Sequence, residues 1–105
     1  MDYTERLHRL AINDPRLATS EGTDAESSAL DPKTRALVRL AALVAAGGAG
    51  PSYGAEIDDA VRAGASAEEI VDVVEAVVPI VGLPCAVSAA PLVAMALGFD
   101  VDDAL

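Results

Sequence analysis

The stretch SAEEIVDVVEAVV, residues 66–78, decides the fold, because its valines favour a strand while its spacing favours a helix. β-branched side chains are stiff at χ1 and suit a pleated surface. Asp72 and Glu75 nevertheless fall three apart, on one polar face of a helix, and would not alternate cleanly along a strand. Ser66 and Glu69 complete a capping box, in which the Ser66 hydroxyl accepts from the third helical amide and the Glu69 carboxylate returns the bond. Ile70, Val73, Val74 and Val77 then make the apolar face. Helix prevails, and with it an all-α fold.

Upstream, Asp31 is an N-cap with Pro32 at N1, and Gly47-Gly48 stops the helix between them, whose inner face is Leu37, Leu40, Ala41 and Val44. Pro51 and Ser52 open a third helix, with Ser52 as its cap. It carries Ile57, Ala60 and Val61 inward, turns Asp58, Asp59 and Arg62 outward, and ends at Gly64. Downstream, a last helix runs from about Pro84 to Leu97, with Pro91 as a kink and Gly98 as its C-terminal cap. At the N-terminus Tyr3, Leu7, Leu10 and Ala11 form one face of a short helix that stops at Asn13-Asp14-Pro15. Residues 16–30, rich in Ser, Thr, Asp, Glu and Ala, read as a linker that forms a flap or an arm across a neighbour. The expectation is one domain over 1–105, with an N-terminal helix and flexible arm to residue 30 and a helical core over 31–99.

Composition bounds the function. About half of the 105 residues are apolar (52%), yet there is no Trp, one Phe and two Tyr. A thin core of Ala, Val and Leu leaves an aliphatic surplus of the kind that subunit interfaces hide, so a homo-oligomer is expected. Seventeen acidic residues against seven basic ones give a net charge of −10, which repels phosphate backbones and anionic lipids. Neither nucleic acid nor a membrane surface is an expected partner. The single cysteine, Cys85, forms no internal disulfide and suits a reducing cytoplasm, and MDYTERLHRL lacks the apolar segment of a signal peptide. Residues 76–99 carry no charge for 24 positions, but Pro79, Pro84 and Pro91 divide them, and a buried helix in an oligomer is the better reading than a membrane span.

No metal or other cofactor is expected. Asp58 and Asp59 are adjacent and point about 100° apart on a helix, and Asp100, Asp102 and Asp103 lack a glycine-centred loop. Gly47-Gly48-Ala49-Gly50 lacks the lysine and hydroxyl residue that follow in a phosphate loop, so it reads as a turn between close helices.

Taken together, LDPKTRALVRLAALVA, the glycine-rich turn, AGASAEEIVDVV and VPIVGLPCAVSAAPLVAMALG resemble the carboxymuconolactone decarboxylase-like family over roughly residues 30–99. That family is similar in fold to alkylhydroperoxidase D, which implies a subunit of about five or six helices assembled into trimers or hexamers with sites near subunit contacts. Its peroxidase-like branch uses a C-x-x-C pair with a His one helical turn further on. Those positions here are Ala49, Ser52 and Glu56, so thiol–disulfide exchange through the motif is excluded and an antioxidant role is the least favoured reading.

The decarboxylase branch relies on the His as general acid or base toward a lactone or related small organic acid. In this chain the resemblance puts Glu56 in that role. A carboxylate transfers protons well where a dry pocket raises its proton affinity. Tyr53, Ser52 and Cys85 would line the substrate site, and Arg35 or Arg39 would answer a substrate carboxylate.

Each of these residues also has a plain structural role. Glu56 suits the first turns of a helix through the dipole alone, Tyr53 suits an interface, and Ser52 suits a cap. Cys85 suits an apolar core, and His8, the only histidine, suits the surface beside Arg9. Two functions therefore stand: a cofactor-free lyase or isomerase using Glu56, or an oligomeric binding or structural family member without catalysis.

Overall fold

The computed structural model describes residues 2–13 and 29–98. Among them are six helices and no strand: α1 (Tyr3–Ala11), α2 (Pro32–Ala46), α3 (Gly50–Arg62), α4 (Ala67–Ala76), α5 (Val78–Val81) and α6 (Leu83–Ala96). The linker expected over 16–30 and the tail beyond Gly98 lie almost wholly outside the described residues.

The helix ends follow the local chemistry. Asp31 accepts from the Thr34 amide at 2.7 Å, with Pro32 in the first turn. At α4 the Glu69 amide donates to the Ser66 hydroxyl at 3.1 Å and the Ser66 amide donates to the Glu69 carboxylate at 2.9 Å, which is the complete capping box. Asp2 caps α1 by accepting from the Glu5 amide at 2.8 Å. α1 ends at Ala11, and Asn13 beyond it takes the left-handed conformation that asparagine tolerates.

The core lies where α2, α3 and α6 meet, closed at one end by α4. Leu40, Val44, Tyr53, Ile57 and Ile70 are its largest fully buried side chains, packed with Ala36, Ala60, Ala86, Ala89 and Val93. The many alanines let the helices approach closely. Among the described residues no polar or charged residue is buried as a whole, so packing alone holds this centre.

One expectation about the core needs correcting. Val61 is exposed, because the buried stripe of α3 is Tyr53, Ile57 and Ala60 and Val61 stands to one side of it. Between α4 and α6, Val78–Val81 forms one short helix, which Gly82 terminates at φ +92°. α6 begins at Leu83 and continues through Pro91 without ending there. α1 holds no buried residue, and Tyr3, Leu7 and Leu10 of its apolar face stand exposed. Among the described residues no helix is long and apolar enough to cross a membrane.

Candidate functional site

The turn between α2 and α3 builds one wall of the site. Gly47 closes α2 by donating its amide hydrogen to the Leu43 carbonyl at 2.8 Å, at φ +81° and ψ 143°, a conformation essentially reserved to glycine. A Cβ on Gly48 would collide with the Leu43 side chain and stand 3.8 Å from the Tyr53 ring. The bare backbone there makes room for the Leu43 side chain.

Helix α3 starts one turn earlier than its sequence signals suggest. Ala49 is the N-cap, without a side-chain bond, and the Ser52 amide donates to the Ala49 carbonyl at 3.0 Å. Ser52 is therefore not the cap: it sits within the first turn, exposed, with its backbone donor already used. The opposite wall is α6, whose Cys85, Ser88 and Leu92 fall at i, i+3 and i+7 on one stripe.

Between these walls is an open-sided cavity of about 330 Å³, lined by Val44, Ala45, Ala46, Gly47 and Gly48 from the end of α2, by Tyr53, and by Pro84, Cys85, Ser88 and Leu92. Tyr53 is 2% exposed, and its hydroxyl makes no hydrogen bond among the described residues. Burial, and secondarily the nearby Cys85 thiol, push its proton affinity above the ordinary phenol value of 10.0. It is therefore a hydrogen-bond donor throughout the neutral range. The Cys85 thiol donates to the Val81 carbonyl at 3.7 Å.

Of the residues expected from sequence, Tyr53 and Cys85 come together here and the others do not. Ser52, Arg35 and Arg39 do not line the cavity, and neither arginine pairs with Glu56 among the described residues. Glu56, one turn beyond Tyr53 on α3, is half-buried and also stands outside the cavity lining. Its Oε2 is buried without a hydrogen-bond partner, the only such side-chain atom among the described residues. Buried acceptors are nearly always satisfied, so an orphaned carboxylate oxygen is an energetic cost with no structural return inside the subunit.

Ser88, Pro84 and Leu92 escaped the sequence reading. The signal was the helical stripe that starts at Cys85, hidden by the near-uniform apolarity of residues 83–97. Because no charged side chain lines the cavity, its chemistry is that of neutral donors, the phenol and the Ser88 hydroxyl, facing an apolar floor. Such a site suits a carbonyl oxygen better than a free carboxylate. Among the described residues no group of three or more His, Cys, Asp or Glu converges on a point where a metal ion would bind.

Comparison with known proteins follows the same lines. The model of the carboxymuconolactone decarboxylase family matches residues 14–95, which include the turn, α3 and nearly all of α6. No curated protein and no solved structure matches the chain significantly.

Proposed function

The chain belongs to the carboxymuconolactone decarboxylase family, and from that premise we propose that it is a cofactor-free lyase or isomerase acting on a small lactone or related carbonyl acid, with Glu56 as the proton-transfer group. The observation that carries the reading is the buried, unpartnered Oε2 of Glu56, one helical turn from the Tyr53 cavity. Proton abstraction next to a carbonyl leaves negative charge on oxygen, and a phenol donor stabilises that charge. In this reading Tyr53 binds the carbonyl oxygen, and the carboxylate of Glu56 takes a proton from the adjacent carbon and returns it elsewhere.

The assembled protein is proposed to be a homo-oligomer, whose subunit contacts would close the open side of the cavity. The test is turnover of a panel of lactones and keto acids by wild type and by Glu56→Gln. The expected loss is about 10²–10⁴-fold, the usual worth of a positioned acid or base. Equal turnover by both would overturn the assignment.

One observation favours a second reading. Arg35 and Arg39 are not assembled with Glu56, and Glu56 is not in the cavity wall. A family member that binds a small carbonyl compound at Tyr53 without transforming it fits that arrangement. Saturable binding of a panel compound, lost in Tyr53→Phe and with no product formed, would mark it.

A further inference from the structure

We infer that α1 is an exchanged arm, whose apolar face seats in a groove between α2, α4 and α5 of a second copy of the chain. This rests on the self-association proposed above and names its contact. The groove is a second cavity, of about 380 Å³, walled by Leu37, Val38 and Ala41 of α2, by Val73 of α4, by Val77 at the junction and by Ile80 of α5. These are two facing helical stripes, and Ile80 stands 86% exposed at their edge.

A groove of this kind takes an amphipathic helix through anchors at i, i+4 and i+7. Tyr3, Leu7 and Leu10 of α1 have that spacing, and all three are more than half exposed. Lengths agree as well: the groove follows α2 from Thr34 to Ala45, roughly 16 Å, and the nine residues of α1 span about 14 Å.

Charge at one edge is complementary. Arg6 flanks the apolar face of α1 beside Leu10 and forms no ion pair among the described residues. On α4, Asp72 is exposed beside Val73 at the edge of the groove. A basic flank thus meets an acidic rim, in a chain whose net charge of −10 otherwise opposes self-association. Within one subunit α1 holds no buried residue and the groove stays open, which leaves both surfaces available for a contact between copies.

The test uses the full chain carrying Leu7→Cys, Ile80→Cys and Cys85→Ala, treated with a short bismaleimide and separated by mass under denaturing conditions. Links between copies are expected, together with a multimeric native mass for wild type. A multimer that forms no such link would overturn the exchanged arm while sparing self-association, and so would a link confined to one chain. A monomeric wild type would overturn both. Leu7→Asp with Leu10→Asp should keep the helical circular dichroism, since α1 adds nothing to its own core, while the assembly dissociates at least about 10-fold more readily. Unchanged assembly in that variant would also overturn the inference.

Discussion

Lys33 Nζ lies 3.0 Å from Glu69 Oε2, and this pair ties the first turn of α2 to the first turn of α4. The same carboxylate uses its other oxygen to accept from the Ser66 amide, so one side chain closes a helix cap and bridges two helices. Exposed ion pairs on their own contribute little. Glu69 matters because its carboxylate is already held in place by the cap when Lys33 meets it. Removing the other half of the box, with Ser66→Ala, should cost about 1 kcal/mol. For a domain of this size that lowers the Tm by roughly 4–8 °C.

Acid should loosen this corner of the molecule first. The Ser66 amide, then Lys33, hold Glu69 below its ordinary value of 4.5, and the Thr34 amide holds Asp31 below 3.8. Groups with lowered folded values contribute stability that is complete above the unfolded value and is lost as pH falls through the folded one. Thermal melts followed by circular dichroism should therefore show a Tm that begins to fall below about pH 4.5 and keeps falling toward more acid pH. Glu69→Gln should start lower at neutral pH and fall less steeply, and a variant with the wild-type slope would sink this account.

Gly47 offers a clean measure of backbone strain. A Cβ there would meet nothing within 4 Å, so Gly47→Ala changes no packing and carries only the cost of φ +81°. That cost is of order 1–3 kcal/mol in this glycine-only region. Gly82 at φ +92° should behave alike, since the added Cβ would make only an ordinary contact at 3.6 Å with Pro84. Chemical denaturation should give both variants a lower midpoint and an unchanged slope.

Much of this was legible in the chain, and what was not has a physical cause. Caps are contracts between residues three apart, so Asp31 with Thr34 and Ser66 with Glu69 could be read directly. The start of α3 could not, because Ala49 caps without a side chain and leaves no chemical signature. Val61 looked like core and is surface, since which part of an apolar stripe is buried depends on the neighbours, here α2 and α6. The cavity was half visible: Tyr53 and Cys85 were candidates, while Ser88 was lost in a helix with no polar face to set its phase. That neither Arg35 nor Arg39 pairs with Glu56 among the described residues depends on how α2 and α3 pack, which no local spacing encodes.

Tyr53 should announce itself in alkali. Its folded proton affinity is raised, so the native state keeps the phenol neutral where the unfolded chain ionises it. Stability is then intact below pH 10.0 and falls as pH rises from there toward the raised value. Tyr53→Phe keeps the buried ring and should remove this alkaline loss while leaving the neutral Tm nearly unchanged. It should also abolish binding of carbonyl compounds in the cavity, as seen by calorimetry. A large loss of stability at neutral pH would mean that the hydroxyl is structural.

Glu56 supplies the sharpest contrast between the two functional readings. A residue kept only for the fold would not leave Oε2 buried without a partner, because that desolvation is uncompensated. Glu56→Met, of similar length and apolar, should therefore raise stability by about 1–3 kcal/mol, the usual penalty of an unsatisfied buried polar group. Turnover should fall in the same variant, the pattern expected where function holds a destabilising group in place. The two measurements are independent, since denaturation reads the fold and product formation reads the proton transfer. If Glu56→Met is instead less stable than wild type in the assembled protein, the carboxylate is answered by a neighbouring subunit, and its role is to hold the oligomer together.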